Sequence, residues 1–93
     1  MFSKEKQREI CKKAVRTFGE NLQKIKAIEE LGELSTALAR EFTKEDDTYN
    51  MDNVIEEIAD CEILLEQLRV IYGDAFVDKQ KQKKLEKLSK VVW

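Results

Sequence analysis

Glu30/Glu33 and Glu57/Asp60 are the only pairs of acidic residues in this chain that stand three positions apart. On a helix, residues at that spacing are neighbours on one side. Each pair therefore forms a block of carboxylate oxygens, a ligand type that suits a hard divalent cation better than zinc or copper. The chain has no His, and Cys11 and Cys61 stand alone in separate segments. A zinc site, a Glu-x-x-His di-iron site and a His-dependent triad are thereby excluded. An all-oxygen cluster of this kind favours Mg²⁺ or Mn²⁺.

Direction matters more than number. At 100° per residue, Leu64, Leu68 and Cys61 all fall within about 40° of Glu57, and Asp60 lies about 60° away on the edge of that stripe. Ala37 and Leu34 bracket Glu30 in the same way, with Glu33 at the flank. Glu56, Glu62 and Glu66 point elsewhere, and Glu29 and Glu56 read as surface groups beside the pairs. A carboxylate on an apolar stripe costs several kcal/mol to desolvate unless it is paired or neutralised. No Arg stands at matching positions to compensate. The acids must either keep their protons to unusually high pH or share a cation. One such pair is unremarkable, since its acids can snorkel out at a bundle edge. Two core-facing pairs on consecutive helices favour the cation.

The elements that carry these acids follow from composition and pattern. There is no Pro and there are only three Gly, while Glu, Lys, Leu, Ile and Ala dominate. That mixture favours helices and leaves few strand signals. Ser3 is positioned to cap a helix running to about Phe18, with Gly19 as its stop. A second helix is expected from about Glu20 to Phe42, with Gly32 inside it permitting close helix packing. The segment Thr43–Asp52 has no apolar period and reads as a connection. A third helix is expected from Asn53 to Tyr72, and a fourth after Gly73, capped by Asp74. Short connections imply a four-helix antiparallel bundle, all-α, forming a single domain over residues 1–93.

Charge is uneven along the chain. Residues 1–19 carry six basic groups against two acidic, residues 20–72 five against fourteen, and residues 73–93 six against three. An acidic middle between basic ends lacks the dominant basic footprint of a nucleic-acid binder, so no nucleic-acid partner is expected. No apolar run approaches the ~20 residues of a membrane span, and the N-terminus lacks the apolar stretch of a secretory signal. No membrane partner is expected, the location reads as cytoplasmic, and the two cysteines read as reduced core thiols.

The strings Glu30-Leu31-Gly32-Glu33 and Glu57-Ile58-Ala59-Asp60, separated by 23 residues between Glu33 and Glu57, resemble the ExxE…ExxD signature of the all-α nucleoside triphosphate pyrophosphohydrolases. That superfamily includes MazG-like proteins, the helical dUTP/dCTP pyrophosphatases and the phosphoribosyl-ATP pyrophosphohydrolases. The resemblance spans about residues 20–90 and includes the wider strings EELGEL and EEIADCEILLEQL. It implies a MazG-like fold, Glu30, Glu33, Glu57 and Asp60 as Mg²⁺ ligands, and cleavage of a nucleoside triphosphate to a monophosphate and pyrophosphate. It also implies a homodimer or homotetramer, often with sites completed across subunits. The family often places Arg or Asn in its last helix for nucleotide contact; this chain has only Lys and Gln there, so base recognition does not carry over.

The residues suit that chemistry without His or Cys. A bound cation neutralises phosphate charge and activates water, and a carboxylate not saturated by metal accepts the proton; Glu33, on the stripe edge, is the candidate, with Glu57 as the central ligand. A triphosphate also needs cationic or polar contacts. Lys81 and Lys84 interrupt an apolar stripe on the fourth helix, and Gln23 and Lys26 share Glu30's side of the second. Long Lys stems at a core edge snorkel equally well. Ile55, Ile63 and Val70 lie nearly opposite Glu57, and Ile25 and Ile28 extend past one face of their helix, so these helices are apolar on two sides and a homo-oligomer is expected. The competing expectation is a catalytically inactive helical interaction or regulatory protein on the same fold.

Overall fold

The computed structural model describes residues 1–43 and 47–93, the side chains of 47–50 excepted. Its regular structure is entirely helical: α1 (Lys4–Phe18), α2 (Glu20–Arg40), α3 (Asp47–Tyr72) and α4 (Asp74–Val92). The all-α expectation is met.

Two glycines make the joints. Gly19, at φ 89°, donates its N–H to the Val15 carbonyl at 2.9 Å, while its own carbonyl accepts from Gln23 N at 3.2 Å. One residue thus ends α1 and starts α2. Gly73, at φ 100°, does the same between Arg69 and Val77. Such φ values cost little only for glycine. A Cβ on Gly73 would also meet the Phe76 ring at 3.0 Å. At the other end of α1, the Ser3 hydroxyl accepts from Lys6 N at 3.0 Å, the expected cap.

Four expectations need correction. α2 closes at Arg40, and Glu41, Phe42 and Thr43 continue it only through tighter backbone bonds to residues three before each, at 3.2, 3.1 and 3.1 Å. α3 begins at Asp47 rather than Asn53. The intervening residues lack apolar periodicity, but they contain neither Gly nor Pro, and acidic residues favour a helix N-terminus, so polar first turns can form without burial. Residues 44–46 of the expected connection lie outside the described residues. Asp74 is the first residue of α4 and not its cap: Gly73 takes the cap position, and the Asp74 carboxylate pairs with Arg8 and with Arg69 (3.3 Å). Gly32 makes no close packing, because a Cβ there would meet nothing within 4 Å.

α2 and α3 form an antiparallel hairpin. Gln23 bonds Gln67, Glu30 is met by Cys61, and Glu33 approaches Glu57, so partners on α3 fall in number as those on α2 rise. α1 lies against α3, with Arg8 Nη1 2.8 Å from Glu66 Oε1 and the Cys11 thiol 3.8 Å from the Ile63 carbonyl. Among the described residues α4 packs on α3, tied by Arg69 to Asp78 at 2.8 Å, and is joined to α1 by the Arg8–Asp74 ion pair. α3 is therefore the hub, and α4 does not lie over α2.

The core is thin. Its buried apolar side chains are Cys11, Val15, Ala27, Ala37, Val54 and Cys61, all small, while Ile28 and Phe76 remain 71% and 75% exposed. Both cysteines are free and buried. Among the described residues, no helix is long and apolar enough to cross a membrane.

Candidate metal centre

Small side chains bring the acids together. Ala27 and Ala37 are buried on α2, and Val54 and Cys61 are buried on α3, one turn to either side of Glu57. Without bulk between them the two helices approach closely. The Cys61 thiol donates back to the Glu30 carbonyl at 3.3 Å, and the buried Gln23 Nε2 donates to Gln67 Oε1 at 2.6 Å, which fixes the register of the hairpin.

In that register Glu30, Glu33 and Glu57 each offer a carboxylate oxygen, and the three atoms lie within 4.8 Å of one another. Glu57 is only 8% exposed, Glu30 is half-buried and Glu33 is exposed. Glu30 Oε2 and Glu57 Oε2 are buried without a hydrogen-bond partner among the described residues. Ionised carboxylates only accept, so the one hydrogen bond open to this pair is a proton of their own. Burial first, and then the carboxyl of Glu30, push Glu57 up to about 7. For Glu30 the bond with Glu57 acts downward, but burial and the charges of Glu33 and Asp60 outweigh it and leave the group raised. Burial, followed by the charge of Glu57, also pushes the Cys61 thiol up, which keeps it an inert, protonated donor.

No family model, curated protein or solved structure matches this chain. The site has to be read from its own geometry.

The fourth acid, Asp60, stands outside the trio. It is half-buried and shares an apolar cleft with Glu30, into which Gln23 and Lys26 also reach. Lys26 is 3.8 Å from Glu29, which is a surface group, as is Glu56. Lys81 and Lys84 are not brought here: both are exposed on α4, which makes no packing contact with α2. Periodicity placed them on one stripe of their helix but carried no information on where that helix would dock.

Three residues missed in the sequence join the site. Thr36, Arg40 and Asn53 line a second, polar cleft with Glu33 and Glu57. The signal was available, because Arg40 lies seven residues after Glu33 and Asn53 four before Glu57, each on the same side of its helix. No ion-pair partner of Arg40 lies among the described residues.

The donor set fits a hard cation. It is all oxygen, it contains two orphaned buried oxygens, and its like charges have no basic group bonded to them among the described residues.

Proposed function

We propose that this chain is a nucleoside triphosphate pyrophosphohydrolase, dependent on Mg²⁺ or Mn²⁺, which converts a (d)NTP to its monophosphate and pyrophosphate. Two observations carry the reading: one carboxylate oxygen each of Glu30, Glu33 and Glu57 lie within 4.8 Å of one another, and Oε2 of Glu30 and of Glu57 are buried with no hydrogen-bond partner among the described residues. A site that repels itself is unfavourable until an ion fills it. The resemblance to the ExxE…ExxD signature of the MazG-like superfamily supports the same conclusion from the sequence.

When bound, the cation supplies neutralisation of phosphate charge and a more acidic water. The chain's residues do the rest. Glu57 on α3 and Glu30 on α2 would hold the ion, with Asp60 in the same cleft as Glu30. Glu33, the exposed member, is free to accept the proton of the attacking water. Neither cysteine takes part, since both thiols are buried and held protonated.

The working unit is a homodimer or homotetramer. Ile25, Ile28 and Ile55 are 52%, 71% and 59% exposed, on the helices that carry the acids, and a core of small residues leaves them uncovered. Lys81 and Lys84, on a helix that makes no packing contact with α2, would meet the acids from a second copy. Sedimentation analysis at micromolar concentration is expected to give a species of two or four chains; a single chain would remove this part of the proposal.

Hydrolysis is tested by measuring pyrophosphate release from a panel of ribo- and deoxynucleoside triphosphates with and without Mg²⁺. At least one nucleotide is expected to be cleaved, and only with the ion present. No release from any of them, at high protein concentration, would leave the helical interaction protein as the better reading.

A further inference from the structure

We propose that the nucleotide lies across the acid cluster in one direction, with its base against Phe18 in the apolar cleft and its terminal phosphates toward Arg40 in the polar one. This deepens the nucleotide reading above and rests on it.

The two clefts are lined by different members of the carboxylate cluster. The apolar cleft has a volume of about 290 Å³, is walled by Phe18, Leu22, Ile63 and Leu64, and ends on Glu30 and Asp60. That volume stands at the lower edge of the roughly 300–1,000 Å³ usual for ligand pockets. The polar cleft, of about 500 Å³, is lined by Arg40, Thr36 and Asn53 together with Glu29, Glu33 and Glu57, and one oxygen each of Glu33 and Glu57 lies within 4.8 Å of one of Glu30. A ligand centred on the trio therefore has one apolar and one polar side to choose between.

Chemistry decides which end goes where. Phe18 is the last residue of α1 and 57% exposed, an uncovered aromatic side chain that lines the same cleft as Glu30. A half-exposed ring is a stacking platform for any base. Gln23 is the only uncharged polar side chain lining that cleft, and its bond from Nε2 to Gln67 holds it in place while leaving its amide oxygen uncommitted. An anchored amide is suited to the hydrogen-bonding edge of a base. A triphosphate in the same place would lose its water against Leu22, Ile63 and Leu64, and Lys26 there is already beside Glu29. On the other side, the Arg40 guanidinium has no ion-pair partner among the described residues and matches phosphate oxygens two at a time.

The test is steady-state hydrolysis of whichever nucleotide the wild-type protein cleaves fastest, with inorganic tripolyphosphate as a competing inhibitor and sedimentation of each variant alongside. Phe18→Ala is expected to raise KM about tenfold or more, at the low end of base–aromatic stacking, with kcat within about twofold. It should leave the inhibition constant of tripolyphosphate unchanged, and Phe18→Tyr should restore KM. Arg40→Ala is expected to weaken nucleotide and tripolyphosphate together. An unchanged KM in Phe18→Ala, or an equal loss of tripolyphosphate binding, overturns the base seat while nucleotide hydrolysis stands. A KM change that accompanies dissociation of the oligomer overturns it too, and assigns Phe18 to the subunit interface. A wild-type protein that cleaves no nucleotide overturns both readings.

Discussion

Glu57→Gln is expected to abolish turnover and, in metal-free buffer near pH 8, to raise the melting temperature by several degrees. The two effects have one cause. Glu57 is the most buried acid of the trio, and its Oε2 has no donor. Near pH 8 its charge faces those of Glu30 and Glu33 with little water to screen them. An amide of nearly the same shape removes that charge and offers an N–H to the orphaned oxygen of Glu30. The fold gains what the site loses. Groups that merely orient metal ligands cost 10–100-fold when replaced, so loss of a central ligand is expected to exceed about 100-fold in activity. Pyrophosphate release and thermal unfolding followed by circular dichroism check both halves, with the helical signal retained. Turnover that survives would remove Glu57 from the ligand set, and a lowered melting temperature would show that its charge is compensated in the fold.

Metal-free protein is expected to lose stability as the pH rises from about 4.5 to about 7, and Mg²⁺ to restore it at the upper end. Glu57 in the folded chain keeps its proton up to about 7, against an ordinary value of 4.5. Between those values the folded state binds more protons than the unfolded state, so stability falls with pH. The contribution is complete below 4.5 and is gone once the pH has passed through 7. Glu30, also raised, acts in the same direction. Above that window the ionised cluster is free to take a cation. At a concentration 100 times the dissociation constant, a bound ion contributes about 2.7 kcal/mol, or on the order of 10 °C for a domain of this size. Near pH 5 Glu57 holds its proton instead, and the same Mg²⁺ should move the melting temperature far less. Unfolding measured from pH 4 to 8, with chelator and with Mg²⁺, reads both curves. A metal-free curve that stays flat or rises across this range would contradict the burial of these acids.

Much of the site was legible because it lies within helices. Spacing of three and a fixed turn per residue place Glu30 with Glu33, and Glu57 with Asp60, whatever the helices later pack against. Gly19 and Gly73 were equally plain, since each joint needs a backbone angle that glycine adopts readily. What lay between helices was not legible. The close approach of α2 and α3 depends on Ala27, Ala37 and Cys61, and on a hydrogen bond between Gln23 and Gln67 that no periodicity encodes. That register draws three acids together and leaves Asp60 to the side. Asp74 looked like a cap because Asp commonly caps; two arginines, Arg8 and Arg69, compete for its carboxylate and take it. Lys81 and Lys84 were correctly paired on one face, but the docking of α4 depends on that ionic junction and carries them away from α2.

The central claim is that inward-facing acids on α2 and α3 hold a divalent ion. Titration of the chain with Mn²⁺ near pH 7.5, following loss of the free-ion signal by electron paramagnetic resonance, tests it directly. At least one ion is expected to bind per wild-type chain, and that binding to be lost in Glu57→Gln. Wild-type protein that leaves all the Mn²⁺ free, or a Glu57→Gln variant that binds as well as the wild type, would contradict it.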